Sequence, residues 1–169
     1  MIVAVNTHGI IGRNNQLLWH IPEDMQYFRK ETQNTIVVMG RKTFESLPGG
    51  PLKWRINVII TSQPEIYRPI ENPYTIFCNL EDCEENLKEL QRTTQKPIFI
   101  IGGSQIYSHF FKKCKRIYVT WVDNDECEGV SIYPLLTEIQ STYHVINSIP
   151  QKDTTNAAIK YKFVVYESP

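Results

Sequence analysis

Several features that would assign a protein class at once are missing from this chain of 169 residues. Its 18 basic residues balance its 18 acidic ones, and no basic stripe provides the surface that nucleic-acid binding uses. No apolar run approaches the roughly 20 residues that cross a bilayer. The N-terminal MIVAVN is not the charged leader and long apolar segment of a signal peptide. We therefore expect no nucleic-acid partner, no membrane span and a cytoplasmic protein.

Cysteines and histidines are few, and their spacing fits neither a metal centre nor a hydrolytic triad. The four cysteines form no C-x-x-C pair and have no histidine at a zinc-like distance, which indicates free thiols in a reducing compartment. The four histidines are scattered, and no Ser–His–Asp or Cys–His set is suggested. The acidic residues between positions 123 and 128 lie in a polar segment typical of solvated surface. We expect no metal site.

The length and ordinary composition, 41% hydrophobic and 21% charged, predict one domain over residues 1–169 with a real core. Short apolar runs alternate with helical patterns, which indicates an α/β fold with parallel crossovers. The predicted strands cover residues 2–6, 35–39, 56–61, 74–77, 97–101 and 116–122. Two later stretches, 143–149 and 160–166, predict an antiparallel hairpin.

Helical patterns lie between these runs. The predicted helices cover residues 23–32, 41–47 and 104–111, and a further helix follows a cap at Asn79, where Leu80, Cys83, Leu87 and Leu90 recur at helical spacing. Residues 46–55, rich in proline and glycine, and residues 123–133 are predicted loops.

The segment GRNNQLLWHIPEDMQYF, residues 12–28, is the most informative stretch. Pro22 suits the first position of a helix, so Asp24 falls in the first turn, where the helix dipole favours an ionised carboxylate. Phe28 lies one turn further on the same face. Such a pair can hold a flat, donor-rich heterocycle such as an aminopyrimidine. Alternatively, Asp24 supports the helix start and Phe28 belongs to the core.

Two strand–glycine–helix junctions, VVMGRKTFESL and IFIIGGSQIY, indicate phosphate binding at the carboxyl ends of strands. The first adds the cations Arg41 and Lys42 and the hydroxyl of Thr43. The second adds Gly102 and Gly103, which let a backbone approach a ligand closely. Neither matches the G-x-G-x-x-G or P-loop fingerprint, and glycine turns are also ordinary packing devices. Two such junctions together favour a dinucleotide.

Other single residues carry both a functional and a structural interpretation. Thr61 and Ser62 end a strand without an acidic residue, which suits a 2′-phosphate better than a free ribose hydroxyl. Arg55, after the Pro/Gly loop, could bind a carboxylate or be solvated. Trp19 could hold a water beside Asp24 or fill the core. Thr120, on an apolar strand, needs a partner if it is buried.

The ordered set of motifs, from IVAV and LLWHIPEDMQYF to YKFVVYE, resembles the dihydrofolate reductase family over nearly the whole chain. The resemblance implies a single-domain, eight-stranded, mostly parallel sheet flanked by helices, with an antiparallel C-terminal hairpin. It implies an enzyme that reduces 7,8-dihydrofolate to tetrahydrofolate with NADPH, acting as a monomer.

The resemblance also implies residue roles. Asp24 would pair with the pterin amino and N3 groups, Thr120 would bond to Asp24, and Trp19 would hold a water near the ring. Arg55 would clamp the glutamate α-carboxylate. The remaining substrate contacts would be Ala4, Met25, Phe28, Leu47, Leu52 and Ile101. The cofactor contacts would be Ala4, Ile11, Gly12, Arg41, Lys42, Thr43, Thr61, Ser62, Ile101, Gly102, Gly103, Ser104, Gln105 and Tyr107.

Three positions depart from the family pattern. Leu18 replaces a proline before the tryptophan, which predicts a less stiff loop. Trp54 stands where the family often has glycine, next to Arg55, which predicts altered access for the glutamate tail. Val130 occupies a position where an aspartate commonly ties this loop to the active-site loop.

Two other functions stay open at this point. Pyrimidine reductases of riboflavin biosynthesis share the architecture and use NADPH on another aminopyrimidine. A non-catalytic folate-binding or NADPH-binding module is the other possibility.

Overall fold

The structure is a computed structural model that describes residues 1–150 and 159–169. The described chain forms two compact units, one of residues 1–28 and 107–169 and one of residues 29–106. Both units contain β-sheet and helix, which confirms the predicted α/β class. One domain over residues 1–169 stays a prediction.

Ten strands are formed by the described residues. They are β1 (Ile2–Asn6), β2 (Ile10–Gly12), β3 (Ile36–Gly40), β4 (Ile56–Ile60), β5 (Thr75–Cys78), β6 (Ile98–Gly102), β7 (Arg116–Asp123), β8 (Val130–Ser131), β9 (His144–Pro150) and β10 (Lys160–Glu167).

Five α-helices and two short 3₁₀ helices are described. The α-helices are α1 (Pro22–Thr32), α2 (Arg41–Ser46), α3 (Leu80–Thr94), α4 (Ser104–Phe110) and α5 (Tyr133–Thr142), and the 3₁₀ helices are Pro64–Ile70 and Phe111–Lys113.

The first unit is built on a mixed sheet in the order β1-β7-β10-β9. Strands β1 and β7 are parallel, whereas β10 is antiparallel to β7 and β9. The antiparallel pairing of β9 with β10 confirms the predicted C-terminal pair. A separate two-stranded ladder joins β2 to β8.

The second unit is built on a fully parallel sheet in the order β5-β4-β3-β6. Its central strands are buried along their length, because parallel strands covered on both faces need near-continuous apolar side chains. The runs IVVM and VII supply them, and Val37, Val38 and Ile59 have no exposed surface.

The predicted single sheet of eight strands differs from this arrangement. The described residues form two four-stranded sheets and a two-stranded one. The sequence pattern identifies a strand by its own residues, but pairing depends on partners that lie far away along the chain. The bounds of the predicted elements are shifted by one or two residues, as is usual at frayed ends.

Two strands, one α-helix and the 3₁₀ helix Pro64–Ile70 were absent from the sequence prediction. Strands β2 and β8 contain only three and two residues, too few to show a period. Helix α5 begins at Tyr133, the last residue of the predicted loop, and buries Leu135, Leu136 and Ile139. No helix within residues 1–150 or 159–169 combines the length and the apolar character that a membrane span requires.

Candidate active site

In the first unit, the carboxylate of Asp24 is hydrogen-bonded to the buried hydroxyl of Thr120. Pro22 starts α1, so Asp24 lies in the first helical turn, as its spacing predicts. Asp24 Oδ1 accepts a 2.6 Å hydrogen bond from Thr120 Oγ1. Thr120 is 2% exposed and lies on β7 opposite Ala4 of β1 and Phe163 of β10. The carboxylate is therefore fixed by one helix end and one sheet.

Two opposing effects set the acidity of Asp24. Burial raises its pKa, because removing water disfavours the charged form, and the Thr120 hydrogen bond lowers it by stabilising the carboxylate. Burial is the larger effect, so the pKa of Asp24 lies above the ordinary value. A carboxyl group poised in this way is typical of an acid–base or ion-pairing site.

Trp19 lies in the core, and its predicted role in holding a water stays a prediction. Its ring is 7% exposed and packs in an apolar cluster with Ile21, Val122, Tyr161 and Phe163. Its indole N–H, however, is buried and has no hydrogen-bond partner among the described residues. Because a buried donor is costly when it is left unpaired, a bound water is the expected partner. The partly buried Leu18 packs against the same cluster.

A second carboxylate, Glu23, was not singled out from the sequence. One of its oxygens, Oε2, is buried without a partner among the described residues. Burial together with the charges of Glu23 and Asp24 raises the pKa of the Tyr161 hydroxyl. The sequence signal was only an acidic first turn, which is common at helix starts.

The other predicted substrate contacts on α1 differ in burial. Phe28 is partly buried one turn after Asp24, as predicted, whereas Met25 is 51% exposed. Between them, Tyr27 stacks on Phe163 with ring centroids 4.0 Å apart. An exposed methionine beside a partly buried carboxylate leaves apolar surface that a ligand could cover.

The predicted active-site loop, which contains Ile11 and Gly12, is joined to strand β8 by backbone pairing. Gly12 pairs with Val130, and Ile10 pairs with Ser131. Gly129 has φ +143°, and a Cβ there would lie 2.5 Å from the Gly12 carbonyl oxygen, so only glycine fits. This backbone ladder joins the two loops although Val130 cannot supply the side-chain acceptor of an aspartate.

The side chain of Asn6 hydrogen-bonds to the backbone of the same loop. Sequence reasoning did not identify this residue. It has no exposed surface, and its Oδ1 accepts hydrogen bonds from His8 N–H and Ile10 N–H at 3.0 and 2.9 Å. Its Nδ2 donates to the Glu126 carbonyl oxygen at 2.7 Å. A polar residue at the end of a buried strand was the available signal.

Tyr107, a predicted cofactor contact, is buried on α4. Its hydroxyl donates a 2.9 Å hydrogen bond to the Ile2 carbonyl oxygen. Burial, with a smaller contribution from the charge of Asp24, raises the pKa of Tyr107. The residue is therefore a neutral phenol at physiological pH.

In the second unit, Arg55 is held by neutral oxygens. Its guanidinium donates to Thr32 Oγ1 at 2.9 Å, to the Lys53 carbonyl oxygen at 2.7 Å and to the Arg29 carbonyl oxygen at 3.2 Å. Among the described residues none of its hydrogen-bond partners is acidic. Burial and the nearby Arg29 lower the pKa of Arg55. This positioned cation lacks a compensating anion in the described part of the chain.

The loop before Arg55 is fastened by Asn57, a second residue that sequence reasoning missed. Asn57 is 1% exposed, and its amide exchanges 2.9 Å hydrogen bonds with the backbone N–H and carbonyl of Leu52. Leu52 and Leu47, the predicted substrate contacts of this unit, are partly buried. The single polar residue in the apolar strand INVII was the signal.

Trp54 adopts an unusual backbone conformation. Its φ is +63°, in the left-handed region that favours glycine, and its side chain is 80% exposed. Its carbonyl oxygen accepts a 2.8 Å hydrogen bond from Asn34 N–H. The departure from the family glycine therefore falls where a side chain costs energy.

The predicted phosphate-binding cations lie at the start of α2. Arg41 is exposed and binds Glu45 through one terminal nitrogen at 2.8 and 3.0 Å, and Glu45 also accepts a 2.9 Å bond from the Tyr67 hydroxyl. The hydrogen bonds from Tyr67 and Arg41 lower the pKa of Glu45. Lys42 is exposed. Arg41 is thus partly neutralised before any ligand arrives.

At the second glycine junction, Gly102 and Gly103 have no side chains to cover their own backbone. Gly102 ends β6 with φ +117°, and the Gly102–Gly103 peptide is cis. A Cβ on Gly103 would meet Thr43 Oγ1 at 3.6 Å, an ordinary contact distance, so Thr43 lies beside the junction. Of the other predicted cofactor contacts at this junction, Ile101 and Ser104 are partly buried and Gln105 is exposed. At the end of β4, the predicted contact Thr61 is buried and Ser62 is exposed.

No group of three or more His, Cys, Asp or Glu side chains that could hold a metal ion occurs within residues 1–150 and 159–169.

Comparisons with known proteins agree with this arrangement. The sequence profile of the family described as dihydrofolate reductase matches residues 1–168. The dihydrofolate reductase of Bacillus subtilis is 31% identical over 98% of this chain and 92% of its own length. That of Haemophilus influenzae is 33% identical over 80% of this chain and 78% of its own.

A solved structure shows the same fold. Dihydrofolate reductase from Enterococcus faecalis, in complex with NADP(H) and RAB-propyl, superposes with a TM-score of 0.77 at 22% identity, covering 99% of this chain and 94% of that one. The resemblance and the fold class inferred from the sequence are therefore confirmed, and the chain belongs to the dihydrofolate reductase family.

Proposed function

We propose that this chain reduces 7,8-dihydrofolate to 5,6,7,8-tetrahydrofolate with NADPH, and so supplies one-carbon metabolism. The observation that carries the proposal is the partly buried carboxylate of Asp24 held by Thr120, in a chain of this family. Its relatives bear the name of this activity, and the related solved structure contains NADP(H).

Asp24 recognises the substrate in this mechanism. Its two oxygens accept hydrogen bonds from the pterin amino group and N3, and the Thr120 hydroxyl keeps the carboxylate in place. Since burial makes the lone carboxylate costly, pairing with a donor-rich ring relieves that cost. Phe28 and Met25 on the same helix provide apolar contact to the ring.

The reduction needs a hydride at C6 and a proton at N5 of the dihydropterin. NADPH supplies the hydride when it is bound. Asp24 grips the far edge of the ring, so its carboxyl group cannot reach N5. We assign the proton to water ordered near the unpaired indole N–H of Trp19. Alignment and exclusion of bulk water are the contributions of the protein.

The second unit supplies groups that fit the anionic parts of both ligands. Arg55, a cation with only neutral partners in the described chain, suits the glutamate α-carboxylate. Gly102 and Gly103 with the Thr43 hydroxyl form a small, backbone-rich junction that suits a phosphate. Arg41 and Lys42 suit the 2′-phosphate, since no acidic residue follows Thr61 and Ser62 directly.

The test is loss of nicotinamide absorbance at fixed enzyme concentration. Dihydrofolate with NADPH should give turnover, NADH should be much weaker, and the riboflavin pyrimidine precursor should give none. Turnover of the riboflavin precursor alone would favour the related reductase instead. Binding of an antifolate without any cofactor oxidation would identify a non-catalytic module.

A monomeric state, a single domain and a cytoplasmic location complete the proposal, with no nucleic-acid or membrane partner. The four free cysteines support a reducing compartment. Sedimentation of the purified chain at several concentrations measures the oligomeric state.

A further inference from the structure

Two cysteines lie at the start of α3, and neither has been given a role above. Cys78 ends β5, Asn79 caps the helix by accepting a 2.8 Å hydrogen bond from Asp82 N–H, and Cys83 lies in the next turn. These are the positions immediately before the cap and four residues after it, whose side chains commonly pack together at helix starts. We therefore expect the two thiols to lie close together.

The two thiols differ in acidity. Cys78 is 5% exposed and Cys83 is fully buried, so both residues lie in the core at the start of α3. The neighbouring Cys83 and Asn86 side chains lower the pKa of the Cys78 thiol, whereas Cys78 and burial raise the pKa of Cys83. The start of a 15-residue helix also favours a thiolate at Cys78.

The remaining cysteines provide an internal comparison. Cys114 is partly buried, and its thiol donates to the Phe110 carbonyl oxygen at 3.4 Å. Cys127 is exposed, and its thiol donates to the Asp125 carbonyl oxygen at 3.4 Å. Neither is hydrogen-bonded to another thiol within the described residues. The chain thus contains one thiol pair and two single thiols.

We propose that Cys78 and Cys83 form an oxidisable dithiol site whose co-substrate is a small hydroperoxide. The Cys78 thiolate attacks one peroxide oxygen, the O–O bond breaks, and Cys78 becomes a sulfenic acid while the other oxygen leaves as water or alcohol after taking a proton. The Cys83 thiol then attacks the Cys78 sulfur, and its proton leaves with the hydroxyl as water. Two electrons pass from the two sulfurs to the peroxide.

The burial of both thiols decides which oxidant can act. Only 5% of the Cys78 residue is exposed, which favours a peroxide of a few atoms over a peptide-sized disulfide. We expect Cys83 to capture the sulfenic acid before further oxidation, because the two residues occupy positions that pack together at a helix start. The result is a disulfide across the first turns of α3.

The site adjoins the predicted cofactor contacts of the same unit. Cys78 pairs with Ile60 in the β4–β5 ladder, and its carbonyl oxygen accepts a 2.9 Å hydrogen bond from Thr61 N–H. We expect a disulfide to draw Cys78 towards α3 and so weaken this bond. Resting on the proposed function, which gives Thr61 and Ser62 to NADPH, we expect oxidation to weaken NADPH binding several-fold.

The test uses a Cys114→Ser/Cys127→Ser variant, which keeps only the pair. After hydrogen peroxide, alkylation and digestion, the peptide carrying both cysteines should be lighter by two hydrogens and unalkylated, and dithiothreitol should reverse this. The matched variant with Cys83→Ser added should form no disulfide. Two alkylated thiols, or independent sulfinic acids, in the pair-only variant would overturn the proposal.

NADPH titration of the same samples tests the coupling. Affinity should fall several-fold on oxidation of the pair-only variant, return with dithiothreitol, and stay constant when Cys83→Ser is present. A disulfide that leaves affinity unchanged would refute the coupling. Failure of the reduced enzyme to oxidise NADPH with dihydrofolate would instead refute the proposed function, and the mass of the peptide would still decide the dithiol site.

Discussion

At the scale of single residues, Asp24 is under conflicting demands. The substrate recognition proposed above needs the ionised form of Asp24, but burial disfavours that form, and the Thr120 hydroxyl only partly offsets the cost. A carboxyl group whose folded pKa is raised binds more protons in the folded state than in the unfolded state. Stability is then full below the unfolded pKa and falls as pH rises towards the folded pKa. At neutral pH, ionised Asp24 therefore destabilises the ligand-free protein.

Asp24→Asn should accordingly stabilise the ligand-free protein but lower its turnover. We expect the Tm of the ligand-free variant to rise by about 2–4 °C at pH 7, the change that about 1 kcal/mol gives in a chain of this size. Turnover should fall about a hundredfold, since the loss of two charge-assisted hydrogen bonds is worth about 3 kcal/mol. Calorimetry and the NADPH assay measure the two effects, and wild-type turnover across pH would contradict the assignment.

Thr120→Val tests the hydrogen bond alone. Valine has nearly the same shape but no donor, so the pKa of Asp24 should move further upward, and the inflexion of the pH–rate profile with it. Thr120→Ser keeps the hydroxyl and should leave the inflexion close to that of the wild type. An unchanged profile in the valine variant would show that this bond does not tune Asp24.

Trp54 gives a prediction about backbone strain. Left-handed φ costs a side-chain-bearing residue about 1–2 kcal/mol, and glycine avoids this cost. Trp54→Gly should therefore be more stable than Trp54→Ala by about 1 kcal/mol, measured by urea unfolding. Since both variants remove the exposed indole, a fall in KM for dihydrofolate in both would show that the ring obstructs the substrate tail.

At the scale of elements, the sequence predicted what is local and missed what is distant. Strand β3 was predicted from four consecutive apolar residues, and all four are buried in the structure. The β2–β8 ladder was missed because it joins residues more than a hundred positions apart through one short run each. The first-turn position of Asp24 followed from Pro22, but its contact with Thr120 rested on family resemblance, since the two residues are 96 positions apart.

Asn57 shows how one buried amide supports a loop. Asn57→Ala removes the hydrogen bonds to the Leu52 N–H and carbonyl and leaves those groups unpaired. We expect a loss of about 2–4 kcal/mol in the free energy of unfolding. KM for dihydrofolate should also rise more than kcat falls, because Leu52 and Arg55 lose their support. Asn147→Ala, at an exposed position of β9, should change stability by less than about 0.5 kcal/mol.

At the scale of the whole molecule, charge balance limits how the cofactor is attracted. With 18 basic and 18 acidic residues, the chain has no net charge to draw in a polyanion. We expect the preference for NADPH over NADH to come from the cations proposed for the 2′-phosphate, and Glu45 already pairs with one of them, Arg41. Removing that competitor should increase the preference, whereas removing the cation should decrease it.

Ligand-induced thermal stabilisation measures that preference in the intact chain. A ligand at about 100 times its Kd stabilises the folded state by about 2.7 kcal/mol, so the difference in Tm between NADPH and NADH at equal concentration reports discrimination. Glu45→Gln should enlarge this difference by freeing Arg41, and Arg41→Gln should shrink it. The Arg41–Glu45 pair is exposed, so its own loss should hardly change the Tm of the ligand-free protein. Equal NADPH and NADH shifts in all three proteins would place the 2′-phosphate away from Arg41.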